Sequence, residues 1–274
     1  MAYLSLEVDV NTVSEDGEWS GLAIAAAENK LKLLNILLSH PGIEINKTVR
    51  KKVGELWYQL PPLMIACCSG NSDVVARLVQ ARDLNINLQV EGGWTAAHQA
   101  SYSGHSDIVR ILAQSGKIDW NIRSRFGVTP LFWALDEGHS DVVAIIVQQQ
   151  HIDFNVKTMD GNGDTLAMAA IWGGDVKCVE ILTQQERCVC WNVPDTFGDT
   201  PMMKALRYYE TELVEILARC PRVDLNMENE DGDSPIMFAV KEGRTGCFEI
   251  LARSPRVELT ARDRQGQSLE DIIR

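Results

Sequence analysis

Apolar positions along the chain fall into pairs of short stripes at helical spacing, with a glycine between the members of each pair. The segment 125–147, RFGVTPLFWALDEGHSDVVAIIV, contains one such pair. Thr129 can cap the first helix through its hydroxyl, and Pro130 suits the first turn, where its absent N–H would have no partner in any case. Gly138 supplies the left-handed conformation that ends the helix. The pattern predicts two short antiparallel helices, which cannot bury their apolar faces without stacked neighbours.

The same pattern returns at a nearly constant interval of 34 to 41 residues. With Thr129 as the marker, the equivalent residues are Ser20, Pro61, Thr95, Thr165, Thr200, Ser234 and Ser268. A second marker, an apolar-X-apolar-Asn tag, keeps the same phase at 8–11, 43–46, 84–87, 118–121, 152–155, 189–192 and 223–226. VELT at 257–260 is a variant of this tag. Two markers in phase over nearly the whole chain indicate an array of stacked repeats.

These residues resemble the ankyrin repeat, whose pattern contains Gly-x-Thr-Pro-Leu-His-x-Ala-Ala, then Gly-His, Val-Val-x-x-Leu-Leu and Asp-Val-Asn. The chain shows GWTAAHQAS at 93–101, GVTPLFWAL at 127–135, GDTPMMKAL at 198–206, GDSPIMFAV at 232–240, GHSDIV at 104–109 and GHSDVV at 138–143. The resemblance implies an all-α repeat solenoid of stacked helix-turn-helix units with β-hairpin fingers, the connections that join one repeat to the next. It also implies about seven full repeats and a partial eighth.

The chain departs from the pattern at two positions. The histidine of the Thr-Pro-Leu-His motif is present only as His98, and we expect packing to replace it at Ala23, Met64, Phe132, Met168, Met203 and Met237. Asn29 replaces the helix-ending glycine of the first repeat, which the left-handed conformation allows. Tyr209 stands at that position in a later repeat. A bulky residue would be strained there, so we expect that helix to end differently.

We interpret 1–274 as a single array. Residues 1–14 are the tail of an incomplete repeat, 263–274 are a partial repeat, and 47–60 are a lengthened basic and aromatic finger. The full repeats are 15–47, 56–89, 90–123, 124–157, 160–194, 195–228 and 229–262. Because the ends lack the usual polar capping repeats, we expect either a piece of a longer array or an atypical way of capping.

The lengthened finger is basic at Lys47, Arg50, Lys51 and Lys52 and then aromatic at Trp57 and Tyr58. Insertions in repeat arrays map to loops on one face, often the binding face. The finger is therefore a candidate contact for an acidic partner. A solvated loop explains the same composition equally well, and a nuclear-import signal is a weaker alternative.

The resemblance further implies a concave groove lined by the fingers and by the first helix of each repeat. Its exposed positions lie just before the Thr marker and seven and eight residues after it. Aromatic side chains there would offer large contact areas at low entropic cost. The candidate partner-binding residues are Trp19, Trp57, Tyr58, Trp94, Tyr102, Arg125, Phe126, Asp136, Glu137, Trp172, Phe197, Arg207 and Tyr208, with Leu60, Lys241 and Glu242 at equivalent positions.

Packing against neighbouring fingers is the alternative for these rings. Three other rings stand at the middle apolar position of the Asn tag, which normally points inward: Trp120, Phe154 and Trp191. We interpret these three, together with Trp133, as core residues.

Charge and composition narrow the classes of partner. The chain has 26 Lys and Arg against 38 Asp and Glu, a formal net charge of −12 that repels phosphate backbones, so we expect no nucleic-acid partner. No apolar run approaches the roughly 20 residues that span a bilayer, and residues 1–10 lack the features of a secretory signal. Seven cysteines, mostly within apolar patterns, favour a reducing compartment. We expect a cytoplasmic or alternatively nuclear protein that is neither secreted nor inserted in a membrane.

No catalytic or metal-binding arrangement is evident in the sequence. Gly161 and Gly163 belong to a lengthened finger and lack the lysine of a phosphate-binding loop. Paired carboxylates such as Asp136 and Glu137 are typical of solvated surface. We therefore expect no enzyme activity and no cofactor. The resemblance also makes three tag asparagines candidate substrates of an asparagine hydroxylase: Asn121, Asn155 and Asn226.

The function that these features predict is a non-enzymatic scaffold. It would bind another protein, through a segment with basic and apolar side chains, in the concave groove and at the finger tips. The alternative is a structural spacer or a regulatory ankyrin module of a larger membrane-associated or cytoskeletal protein.

Overall fold

The computed structural model describes residues 9–53, 56–185, 189–208 and 211–273 and divides into two compact units, Met1–Arg125 and Phe126–Arg274. The helices of the first unit are α1 (Gly21–Ala27), α2 (Leu31–Leu38), α3 (Pro62–Cys68), α4 (Ser72–Leu78), α5 (Ala96–Tyr102) and α6 (Ser106–Gln114). Its strands are β1 (Val49–Val53) and β2 (Leu56–Leu60). A 3-10 turn, Glu91–Gly93, precedes α5.

The described residues of the second unit form helices, with isolated bridges in its fingers. These helices are α7 (Pro130–Asp136), α8 (Ser140–Ile146), α9 (Leu166–Trp172), α10 (Val176–Gln184), α11 (Pro201–Tyr208), α12 (Thr211–Arg219), α13 (Pro235–Lys241), α14 (Thr245–Ala252) and α15 (Leu269–Ile273). In both units the first helix of a repeat packs on the first helix of the next, and the second helices do the same. The predicted helix-turn-helix solenoid is therefore confirmed.

The ends of the short helices follow the predicted signals. The side chains of Thr95, Thr129 and Thr165 accept hydrogen bonds from the backbone N–H three residues later. Gly138 ends its helix at a φ of 70°, and Asn29 takes the same role at 53°, as predicted. Tyr209 lies outside the described residues. Local capping thus fixes helices of only five to nine residues, and stacking supplies the burial that holds them.

The structure agrees with what we expect at the position of the motif histidine, the fourth residue of Thr-Pro-Leu-His. His98 is buried, and its Nδ1 lies 2.8 Å from Thr95 Oγ1 in a reciprocal capping arrangement. The residues that replace it in other repeats are buried in apolar surroundings: Ala23, Met64, Phe132, Met168, Met203 and Met237. The rings predicted as core at the tag, Trp120, Phe154 and Trp191, are also buried, whereas Trp133 is half-buried.

The lengthened finger is more regular than a loop. β1 and β2 pair antiparallel, with Val49 opposite Leu60 and Lys51 opposite Tyr58. The backbone N–H of Arg50 also donates to Gly17 O at 2.7 Å, which joins the hairpin to the preceding finger. Val49 and Leu60 share one face and are buried. The expectation that Leu60 lies on the exposed binding face is therefore wrong, because strand alternation turns it inward.

The asparagine of the tag joins consecutive repeats. Asn46 Nδ2 donates to Asp83 O at 2.7 Å, and its Oδ1 accepts from Asn85 N at 2.8 Å. Asn192 makes the same pair of bonds, to Arg222 O at 2.9 Å and from Asp224 N at 2.7 Å. Equivalent pairs are made by Asn11, Asn87 and Asn226. The tag is thus an inter-repeat clasp, a role that its recurrence in the sequence did not disclose.

Candidate functional site

In the second unit, the fingers and the ends of the first helices form two adjoining depressions. The first has a volume of about 420 Å³ and is lined by Asn162, Asp164, Trp172, Phe197, Asp199, Lys204, Arg207 and Tyr208. The second, of about 410 Å³, shares Phe197, Asp199 and Arg207 and continues toward Asp233 and Lys241. We call the residues that line the first depression the acidic aromatic surface. It brings together four predicted site residues: Trp172, Phe197, Arg207 and Tyr208.

The rings of this surface are open to solvent. Trp172 at the end of α9 is 38% exposed, Tyr208 at the end of α11 is 53% exposed, and Phe197 in the finger between them is 68% exposed. The rings of Trp172 and Tyr208 contact each other, with centroids 4.9 Å apart and planes inclined by 40°. Capping at Thr165 and the helix lengths fix where these rings emerge. Apolar rings held in this way at the surface are typical of interaction sites.

A buried ion pair supports the rings from below. Lys204 Nζ lies 2.5 Å from Asp195 Oδ2, and both side chains are almost fully buried. The same ammonium lies 4.9 Å from the centroid of the Trp172 ring. Asp195 Oδ1 accepts from the backbone N–H groups of Phe197 and Asp199, which shapes the finger. This pair therefore fixes the position of Trp172 and the conformation of the finger that carries Phe197.

Three further finger aspartates are paired with cations of the first helices. Arg207 Nη2 lies 3.3 Å from Asp199 Oδ2, and its guanidinium stacks 4.8 Å from the Phe238 ring. Lys241 Nζ lies 2.6 Å from Asp233 and also 3.0 Å from Asp263 Oδ2. Hydrogen bonds from the ammonium to both carboxylates raise the pKa of Lys241 and outweigh its desolvation. Charge on this part of the surface is thus largely balanced within the chain.

Two other carboxylates are less well compensated. Burial raises the pKa of Asp164, although the charge of Lys204 and a hydrogen bond with Trp172 act in the opposite direction. Burial also raises the pKa of Asp136 to about 6, with contributions from the charges of Glu137 and Asp164. Asp136 is half-buried at the end of α7, and Glu137 is exposed. These predicted residues therefore add negative potential next to Asp164.

The first unit carries a separate set of the predicted residues. Trp94 is half-buried and meets exposed Tyr102 edge-on, with centroids 5.6 Å apart. In the finger, Lys51 Nζ lies 3.4 Å from the Trp19 ring centroid, and the Arg50 guanidinium lies 4.6 Å from that of Trp57. Trp57 is exposed, whereas Trp19 and Tyr58 are half-buried. The rings of this finger are thus flanked by cations rather than by carboxylates.

Arg125 and Phe126 have exposed side chains on a fixed backbone. The N–H of Arg125 donates to Gly92 O at 2.8 Å within the first unit. The carbonyl of Phe126 accepts from Met159 N at 2.7 Å within the second. Both side chains are therefore presented at finger positions, as predicted.

Sequence reasoning missed the aspartates that precede the helix-capping residue. Asp164, Asp199 and Asp233 occupy this position in three consecutive repeats, in the strings GDT, GDT and GDS. All three are buried, and each lines at least one of the two depressions. Their recurrence in register was the available signal. Its importance appears only once the cations eight residues further on are placed beside two of them.

Burial keeps the thiols of Cys68 and Cys178 in their unreactive protonated form. The free cysteines are Cys67, Cys68, Cys178, Cys190, Cys220 and Cys247, and Cys188 lies outside the described residues. Burial raises the pKa of Cys68 to about 11 and that of Cys178 to about 12, so both are protonated at neutral pH. Across the described ranges, no group of three or more His, Cys, Asp or Glu side chains is arranged to hold a metal ion. The helices in those ranges are also too short or too polar to cross a bilayer.

Comparisons with known proteins agree with this architecture. The family model for ankyrin repeats, in three copies, matches residues 22–124, 116–190 and 169–263. Among solved structures, the chain is similar to the crystal structure of the ankyrin repeat domain of Bcl-3, a unique member of the IkappaB protein family. The two share 24% sequence identity and a TM-score of 0.71, over 87% of this chain and 100% of that one, a likeness that shows the fold alone. No curated protein sequence matches the chain.

Proposed function

Because the chain belongs to the ankyrin repeat family, whose repeats in general bind other proteins, we propose that it is a non-enzymatic scaffold for a polypeptide partner. The partner segment lies on the acidic aromatic surface of the second unit. The observation that carries this proposal is the exposure of Trp172, Phe197 and Tyr208 around one depression of about 420 Å³. Clustered exposed rings with a polar rim are the usual anatomy of a binding hot spot.

Charge defines the chemistry of the partner. Residues 126–274 contain 14 basic and 25 acidic residues, so nearly all of the net charge of −12 belongs to the second unit. A field of this sign steers basic segments toward the surface and disfavours acidic ones. We therefore propose a partner segment that combines basic side chains with apolar side chains that cover the three rings.

The predicted residues of the first unit serve as a second contact in this proposal. Trp94 and Tyr102 offer an exposed edge of paired rings, and the finger offers Trp57 beside Arg50. Because these finger rings are flanked by cations, the groups that suit them are acidic or apolar. The first unit therefore contributes contacts of a different chemistry from those of the second.

A peptide library that varies basic, acidic and aromatic content independently tests the proposal. We expect basic-aromatic peptides to bind the full chain and the double variant Trp172→Ala, Tyr208→Ala to lose roughly tenfold or more in affinity. Leu259→Ala is the matched control, because Leu259 is a similarly exposed apolar residue of the same unit that lines neither depression. Equal binding to wild type and the double variant, with unchanged circular dichroism, would refute the proposed surface.

A further inference from the structure

The second unit repeats a pairing between a finger aspartate and a residue eight positions later. Asp199 is followed by Arg207 and Asp233 by Lys241, each near the end of a first helix. In both repeats the cation and the aspartate form an ion pair, at 3.3 Å and 2.6 Å respectively. The pairing places a positive charge over a carboxylate that is almost buried. It thereby compensates for the lost hydration of that carboxylate.

The preceding repeat has the aspartate without the cation. The position eight residues after Asp164 holds Trp172. Asp164 is 8% exposed, as is Asp199, so both carboxylates are equally removed from water. Among the described residues, no cation lies within ion-pair distance of Asp164, and its buried Oδ1 has no hydrogen-bond partner. Lys204, which lines the same depression, is held by Asp195.

A buried carboxylate with an unsatisfied oxygen is costly, and a cation supplied from outside the chain would relieve that cost. The surroundings suit such a ligand. Trp172 and Tyr208 offer exposed ring faces beside Asp164, and Asp136 adds negative charge. The depression of about 420 Å³ has room for a long side chain.

We propose that an arginine side chain of the partner occupies this position, with its guanidinium against Asp164 and its plane on Trp172 or Tyr208. The inference rests on the proposed polypeptide-binding function and names the residue that anchors the partner. The chain itself provides the template, because Arg207 pairs with Asp199 and stacks 4.8 Å from the Phe238 ring. A guanidinium satisfies a carboxylate and a ring together, whereas a lysine ammonium lacks the stacking plane.

Nuclear magnetic resonance of the full chain tests the anchor without knowledge of the partner. The probe is N-acetyl-arginine N-methylamide, and the signal is the indole N–H of Trp172, assigned with Trp172→Phe. We expect a saturable shift with the arginine probe, a weaker one with the lysine analogue and none with the neutral citrulline analogue. Asp164→Asn should abolish the shift, whereas Asp233→Asn, which breaks an internal pair, should leave it. Equal shifts with arginine and citrulline, or a full shift in Asp164→Asn, would overturn the proposal.

A second test supplies the cation within the chain. Trp172→Arg recreates the aspartate-to-arginine spacing of Asp199 and Arg207, whereas Trp172→Gln places a shorter polar side chain without charge at the same position. The arginine variant should melt several degrees above the glutamine variant at low salt, and Asp164→Asn should remove that difference. Identical melting of the two variants would count against a vacant cation position at Asp164.

The peptide experiment separates this inference from the proposed function. In a peptide that binds the surface, replacing each arginine by citrulline in turn should lower the affinity about tenfold or more at one position. That loss should disappear in Asp164→Asn. If the peptide binds and no single arginine matters, the anchor is wrong and the binding function stands. If no peptide binds while the arginine probe still shifts Trp172, a guanidinium site at Asp164 stands and the polypeptide-binding function is wrong.

Discussion

The two units of the chain place aromatic rings in different electrostatic surroundings. In the first unit, Lys51 and Arg50 lie over the rings of Trp19 and Trp57. In the second, Lys204 and Arg207 lie over the rings of Trp172 and Phe238, and both cations are paired with aspartates. Residues 126–274 also carry nearly all of the net negative charge. The helices, caps and asparagine clasps are alike in both units. We therefore propose that partner chemistry is decided at the finger and helix-end positions, which the repeat framework leaves open to variation.

The largest expected effect concerns the buried pair of the second unit. Lys204→Met leaves the carboxylate of Asp195 buried without its cation, which should destabilise the protein by about 3–5 kcal/mol. Lys51→Met in the first unit removes only a contact with the Trp19 ring and should cost about 0.5–1 kcal/mol. Urea unfolding of both variants measures the two values. Similar losses would show that cations play the same structural role in both units, contrary to the comparison.

A loss of stability of intermediate size tests the asparagine clasps, which both units share. Asn192→Ala removes the bonds to Arg222 O and from Asp224 N, and Asn46→Ala removes the equivalent pair in the first unit. Each substitution should lower the free energy of unfolding by about 1–3 kcal/mol, because two backbone groups lose their partners. Hydrogen exchange at the backbone N–H of Asp224 should accelerate in the first variant. A loss confined to one unit would contradict a common framework.

The smallest effect is a pH dependence of opposite sign in the two units. Asp136 has a pKa of about 6 in the folded chain against an ordinary 3.8, so the fold binds this proton more tightly than the unfolded chain does. The free energy of unfolding therefore falls as pH rises between these values. Asp136→Asn should consequently be more stable than wild type at pH 7, by up to about 1 kcal/mol, since solvent screens a half-exposed site.

Asp16 in the first unit provides the contrast. A hydrogen bond from Ser14 lowers the pKa of Asp16, so its ionised form stabilises the fold above the ordinary pKa, and this contribution is lost as pH falls through the folded value. Carboxyl carbon titration should place Asp136 well above Asp16. Overlapping titrations of the two groups would remove this difference between the units.

Local signals made the framework predictable. Thr129, Pro130 and Gly138 specify the start and end of a helix through their own backbone and hydroxyl chemistry, so they can be recognised without any tertiary contact. His98 and the buried residues that replace it in other repeats could also be predicted, because they occupy a fixed position three residues after the helix-capping residue. Tag asparagines such as Asn46 and Asn192 recur at a regular interval in the sequence. Their hydrogen bonds reach the next repeat, however, so their role could be recognised only from the structure.

The acidic aromatic surface was predictable from the sequence only in part. Positions seven and eight residues after the marker gave Trp172 and Tyr208, because a helix of fixed length turns them outward. The prediction that Leu60 is exposed was wrong because this part of the finger is a β-strand rather than a loop. Alternate side chains of a strand face the core, and Leu60 is one of them. Asp164 was missed because its significance depends on the lack of an ion-paired cation, which its counterpart Asp199 has in Arg207.

The clasps made by Asn11, Asn46, Asn87, Asn192 and Asn226 run in one direction, from a repeat to the one that follows. When a terminal repeat frays away from either unit, a single amide and two backbone groups pass into water, and the clasps further in are untouched. Unfolding from an end can thus stop at any interface between consecutive repeats. A unit shortened by one repeat would keep the asparagine clasps between the repeats that remain.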